Sequence, residues 1–280
     1  MKIRENSLPA LWYPQDTGEI SRFLGGFRTG NALAAIAPHA GWYYSGKIAA
    51  AAVSSLDKNA ETVAVIGGHL PAGYPPLFAA EDAVSTPWGP VKIDSELRTA
   101  VMQKIGGDED RYRDNTVEVL LPMVRFFIPD ARLLWMRLPA EMSSFEAGRA
   151  VAEAAGNLGR KVAVLASADL THYGPNYGFT PLGGGIKALR WMREVNDRRF
   201  IEAVESGDPA AVLERAEKEH STCSAGAVLG AMGFANALKL GNARFLEYGT
   251  SADNASAAST SADEDALPDS FVGYAAFIFG

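Results

Sequence analysis

The chain has 280 residues, 48% of them hydrophobic, and a formal net charge of -7; it can bury the core of one large α/β domain, and its acidic balance disfavours nucleic acid, which needs a basic surface. A single cysteine, Cys223, excludes an internal disulfide and a multi-cysteine zinc cluster. No apolar run is long enough for a bilayer and Met1 to Asn6 lacks a signal-peptide core, so no membrane is expected and the cytoplasm is the expected location.

Leu8 to Pro14 holds Trp12 and Tyr13, an aromatic arm expected to pack on the domain, and Glu19 to Leu24 has the spacing of a short helix. The apolar run Ala32 to Ile36, the turn Ala37-Pro38-His39-Ala40-Gly41 and the Ala-rich run Lys47 to Val53 read as strand, turn and helix. Thr62 to Ile66 is a second strand, ending in Gly67-Gly68-His69. The Pro- and Gly-rich residues 71 to 93 read as an irregular connection, with a possible β-hairpin around Trp88-Gly89. Asp94 is placed to cap a helix to about Ile105. Gly106 to Asn115 reads as exposed loop, and Thr116 to Phe127 is apolar but interrupted by Pro122. After the strand Arg132 to Leu138, Ser143 and Glu146 have the spacing of a capping box and open a helix to about Leu158.

Val162 to Ala166 is a third strand of the same kind, ending in Ser167-Ala168-Asp169-Leu170-Thr171-His172-Tyr173-Gly174. A loop to Gly185 precedes a long amphipathic helix from Ile186 to Glu205. Asp208-Pro209 starts another helix, and Cys223 to Leu240 is a third. Ala243 to Tyr248 is a fourth strand, ending in Gly249-Thr250-Ser251-Ala252-Asp253. Residues 251 to 268 are Ser, Ala and acidic residues, and Phe271 to Phe279 is a buried strand. With no repeat and no linker, this alternation predicts a single α/β domain over 1–280.

Three of the four histidines follow predicted strands. In open α/β sheets ligands bind at the carboxyl ends of strands, so the recurrence points to one shared site. Two histidines and a carboxylate from separate strand ends match the donor set of a non-haem iron(II) site with open positions; here these are His39, His69 and Asp253. Imidazole also suits zinc and copper. His172 then serves as an acid or base, Asp169 orients it or binds substrate, and Tyr44 and Tyr173 are hydroxyl donors. Against this stand plainer roles: a loop-bracing hydrogen bond for a lone histidine, solvation for His220, packing for Cys223. Cys223 is also a soft metal ligand if its helix start faces the site, and Asn254 or Asp263 can take the place of Asp253. Gly183-Gly184-Gly185 lacks the Lys-Ser/Thr of a phosphate loop, and Ser45 and Ser167 lack an elbow motif.

Ala37-Pro38-His39-Ala40-Gly41 through Tyr44-Ser45-Gly46, and Ser167-Ala168-Asp169-Leu170-Thr171-His172-Tyr173-Gly174, resemble the two most distinctive motifs of the Memo family. Leu11-Trp12-Tyr13-Pro14, Thr86-Pro87-Trp88-Gly89, Val117-Glu118-Val119 with Leu121-Pro122, and Val272-Gly273-Tyr274-Ala275-Ala276 agree in order. Bacterial and archaeal members are called AmmeMemoRadiSam system protein B, after a trio with an AMMECR-type protein and a radical SAM enzyme, which the resemblance suggests as functional partners. It implies a central mixed, mostly parallel sheet flanked by helices, shared with class III extradiol ring-cleavage dioxygenases. It also implies His39 and His69 as metal ligands and His172 as the acid/base histidine, with a C-terminal ligand that is a cysteine in some members. The chain departs from the family pattern at Gly68-His69-Leu70, usually Ser-His-His, and at Asp114-Asn115-Thr116, usually Glu-His-Ser; Asn115 hydrogen-bonds but does not exchange protons near neutral pH. The expected function is a metal-binding, dioxygenase-like oxidoreductase acting on a small-molecule substrate, with iron(II), or copper or zinc, as cofactor. The alternatives are a non-catalytic binding or scaffold protein and a zinc hydrolase.

Overall fold

A computed structural model of the chain describes residues 1–253 and 268–280. Four parallel strands form the centre of a nine-stranded sheet, in the order Ala34–Ala37, Val162–Ser167, Thr62–Leu70, Arg132–Pro139. Phe271–Phe279 pairs antiparallel with Ala34–Ala37 and carries Arg244–Thr250 and His172–Tyr173, both antiparallel to it. Beyond Arg132–Pro139 lie the short strands Leu77–Phe78 and Asp108–Glu109. The architecture is the expected α/β one, with a mixed sheet between helices.

Both faces of the central strands are buried, so their sequences are continuous apolar runs. Alternate residues divide between two cores. Ala35, Val63, Val65, Leu133, Trp135 and Leu165 face the helices Thr17–Leu24, Trp42–Ser54 and Leu121–Phe127. Ala34, Ile36, Ala64, Ile66, Met136 and Val164 face Ser95–Ile105, Ser143–Asn157, Asp197–Ser206, Pro209–Glu219 and Ala225–Leu238.

In Ala225–Leu238 every residue from Ala225 to Ala235 is buried. Its glycines permit that seating: a Cβ on Gly226 would stand 2.2 Å from the Pro139 carbonyl oxygen, and one on Gly233 would stand 1.9 Å from that of Phe145. Gly148 on the neighbouring helix meets the Gly230 carbonyl oxygen in the same way, at 1.9 Å.

Several elements differ from their sequence expectation. The second strand runs on to Leu70, because a register shift between Gly67 and Leu70 keeps it paired with Arg132–Pro139. The expected capping box does not form: Met142 precedes the first helical residue, and Ser143 Oγ bonds Glu141 Oε1 at 2.5 Å. The long helix expected over 186–205 is Gly185–Trp191, a π-helical turn at Met192–Asn196, and Asp197–Ser206. Pro122 sits in the first turn of Leu121–Phe127, after the separate turn Asn115–Glu118. Ala83–Val84 and Val91–Lys92 form the hairpin around Trp88-Gly89. Among the described residues no helix is long and apolar enough to cross a membrane.

Gly148→Ala should lower the unfolding free energy by about 1–3 kcal/mol, because overpacking against a backbone carbonyl outweighs the better helix propensity of alanine. Urea unfolding read by circular dichroism checks this.

Candidate metal centre

The carboxyl ends of three adjacent strands, Ala34–Ala37, Val162–Ser167 and Thr62–Leu70, share one edge of the sheet. The first delivers His39, which is 1% exposed. Its backbone N–H donates to Asp169 Oδ1 at 2.7 Å. Its Nδ1 lies 2.9 Å from Ser167 Oγ, and Nε2 faces Cys223 Sγ at 3.3 Å.

His69 reaches the same point by a different device. The register shift at the end of its strand frees it from regular pairing, and its φ of 56 places it in the left-handed region that a non-glycine residue occupies at a cost. Its Nδ1 lies 3.0 Å from Asp114 Oδ2. The buried Arg137 holds that carboxylate, with Nη2 at 3.3 Å, and donates from Nε to the Gly68 carbonyl at 3.0 Å. The His39 and His69 rings meet edge-on, 4.9 Å between centroids.

Cys223 comes from the start of Ala225–Leu238. Gly68 lets it approach, since a Cβ there would lie 2.4 Å from the Ser224 side chain. Thr222 Oγ1 donates to the Asp169 carbonyl at 2.6 Å, which holds the helix start against the His39 turn. One ligand atom each from His39, His69 and Cys223 lie within 4.8 Å of one another, and this trio is the candidate ion site among the described residues.

The charges are mutually dependent. Burial opposes ionisation of Cys223, but the His39 and His69 imidazoles outweigh it and hold the thiol well below its ordinary pKa. Burial likewise opposes protonation of both histidines. Asp169 and Cys223 nevertheless raise His39, and Asp114 and Cys223 raise His69 to about 10. Asp114 is depressed despite burial, by His69 and Arg137, whereas burial raises the carboxyl of Asp169. The shifts favour the protonated form of both imidazoles and the ionised form of the thiol.

His39 and His69 of the trio line a cleft of about 850 Å³, whose walls also include His172, Asn115, Tyr44, Tyr177 and Tyr274. The ring of His172 stands edge-on to Tyr177 at 4.9 Å, and Tyr44 is 50% exposed. Asn115 Nδ2 donates to the His39 carbonyl at 3.0 Å, so it braces the His39 turn. Tyr173 is not at the cleft: its hydroxyl donates to the Gly183 carbonyl at 2.9 Å.

The expected acid ligand is not where the sequence reading put it. Asp253 folds back on its own chain: Oδ2 accepts the Thr250 N–H at 2.6 Å, and Oδ1 pairs with Arg193 at 2.5 Å. Among the described residues it is Cys223, not Asp253, that stands with the two histidines. Asn254 and Asp263 lie outside the described residues. His220 ends the helix Pro209–Glu219 and packs on Phe179, with ring centroids 5.0 Å apart. The supporting roles of Asp114, Arg137 and Ser167 escaped the sequence reading; the Gly67-Gly68 pair was a signal of close approach, without identifying what approaches.

The family profile described as Memo-like protein matches residues 4–278. A MEMO1 family protein of Pyrococcus abyssi is 30% identical, with 99% of each chain covered. One from Pyrobaculum arsenaticum is 30% identical over 89% of this chain and 83% of its own. Among solved structures, an uncharacterized protein from Escherichia coli K12 is 11% identical with a TM-score of 0.44, covering 87% of this chain and 99% of that one.

Asp114→Asn should lower the His69 pKa by about one unit or more, because it removes the anion that favours the imidazolium. Titration of the histidine resonances in metal-free protein by NMR measures it.

Proposed function

The chain belongs to the Memo-like protein family, and from that premise we propose that it is a metal-dependent oxidoreductase acting on a small molecule in the cleft, with copper held by His39, His69 and Cys223. The observation that carries this reading is the trio itself, three ligand atoms within 4.8 Å of one another beside an open cleft. The separation of His39 Nε2 and Cys223 Sγ, 3.3 Å, is close to the edge of about 3.5 Å that nitrogen and sulfur donors sharing one tetrahedral ion would span. A thiolate with two imidazoles favours copper, whereas iron(II) in this role calls for a carboxylate. Zinc accepts the same donors.

A bound copper ion would supply a one-electron couple. The chain's own residues do the rest. Ser167 and Asp114 hold the Nδ1 atoms of His39 and His69, which orients both rings for ligation through Nε2. His172, open to the cleft, takes and returns the substrate's proton, and Tyr44 offers a hydroxyl at the rim. Asp169 fixes the His39 turn by accepting its N–H. The aromatic walls, Tyr44, Tyr177 and Tyr274 among them, orient a small molecule, and Asn115 adds no second proton-transfer group.

Protein purified anaerobically without an affinity tag should hold or take up about one copper per chain, in line with one three-ligand site. His39→Ala and Cys223→Ser should abolish uptake, and Asp253→Ala should leave it unchanged; elemental analysis and copper titration read all three. Uptake of no metal by the native chain would leave a non-catalytic binding protein. Tight zinc with no copper would favour a hydrolase.

Ligation needs neutral imidazoles and a thiolate; Asp114 and Cys223 raise His69 to about 10, while the imidazoles hold the Cys223 thiol well below its ordinary pKa. Copper affinity should therefore rise between about pH 6 and 9, roughly tenfold per unit for each proton displaced. Calorimetric titration in buffers of different ionisation enthalpy counts those protons, which should come from the histidines.

A further inference from the structure

Among the described residues no hydrogen bond holds the imidazole of His172; its side chain meets the ring of Tyr177. Its backbone is clamped one residue earlier. Thr171 is fully buried, and both its N–H, at 3.1 Å, and its hydroxyl donate to Asp197 Oδ1. Tyr248 donates its hydroxyl to the other oxygen at 2.7 Å, and Asn196 Nδ2 donates to Thr171 Oγ1 at 2.9 Å. The Gly273 N–H donates to the Thr171 carbonyl at 3.0 Å. Gly273 also leaves space for the carboxyl: a Cβ there would lie 2.0 Å from Asp197 Oδ2.

The clamp has a local cause. Asn196 ends the π-helical turn Met192–Asn196 and Asp197 follows it, and both consecutive side chains are buried and turned to the His172 segment. Such turns recur at functional sites. Arg193 of the same turn bonds Thr250 and Asp253 instead, so among the described residues no cation hydrogen-bonds the Asp197 carboxyl. A buried carboxyl without a paired cation is a costly way to satisfy a threonine.

We propose that Asp197 is a positioning residue for His172, acting through Thr171, with Tyr248, Asn196 and Gly273 completing the clamp. This rests on the reading of His172 as the proton-moving group. The test uses the full-length chain with ¹⁵N-labelled histidine, comparing Asp197→Asn, Tyr248→Phe and Thr171→Val. Long-range ¹H–¹⁵N spectra should show the His172 ring signals shifted or broadened in all three, more than those of His39 and His69. Copper affinity should stay within about twofold of the native chain, since the clamp and the trio share no partner. Unmoved His172 signals in folded variants would overturn the proposal, as would His39 and His69 moving equally with a matching loss of copper affinity, which would mark general loosening. If Asp197→Asn does not fold, Tyr248→Phe and Thr171→Val decide. Copper uptake by the native chain judges the metal reading separately from the His172 spectra.

Discussion

The close seating of helix Ala225–Leu238 on the sheet is the contact on which the site depends, because Cys223 lies two residues before that helix start. Small residues make it possible at several points: Gly226 under the Pro139 carbonyl, Gly230 and Gly148 facing each other, and Gly68 under Ser224. Side chains at these positions would hold the helix start off the sheet edge, and the thiol would leave the histidines. Dense packing and chemistry thus share one cause here. A core of alanine and glycine offers less apolar area per residue than one of leucine, but it brings backbones close enough to place ligands from different elements together.

The electrostatics of the site follow from this packing. Two buried ionisable groups of the site are made tolerable by neighbours of opposite tendency: Asp114 by His69 and Arg137, Cys223 by His39 and His69. Removing one partner leaves a buried charge unmatched, which costs more than the pair contributes. His69 adds backbone strain to this balance. Strain of that kind persists where surrounding contacts over-determine it, here the Asp114 anion on one side and Ser224 under Gly68 on the other.

The parallel core was legible because strands buried on both faces are written as short β-branched and alanine runs, and the residues after them carry the polar groups. His39, His69, Asp169 and His172 were therefore found at one cleft from position alone. The sequence does not single out Cys223, since its role depends on where a helix start docks, and that is set by glycine contacts distant in sequence. Asp253 follows a strand that ends near the cleft, as Ser251 does, yet its carboxylate bonds Thr250 and Arg193; local capping outcompeted a distant ligand role. The π-helical turn was hidden because one extra residue in a helix leaves the apolar pattern on either side nearly intact. Ser143 and Glu146 had capping-box spacing, but Glu141 engaged the serine first.

His39 and Cys223 are 184 positions apart in the chain, and this spacing bears on synthesis as well as on the folded state. At translation rates of roughly 5–20 residues per second, Cys223 leaves the ribosome about 10–40 s after His39. Throughout that interval the two histidines have no thiolate to join, and the parallel sheet that aligns their strands lacks Val162–Ser167 for most of it. The nascent chain thus carries no assembled trio, and the site comes into being only with the long-range pairing that completes the fold.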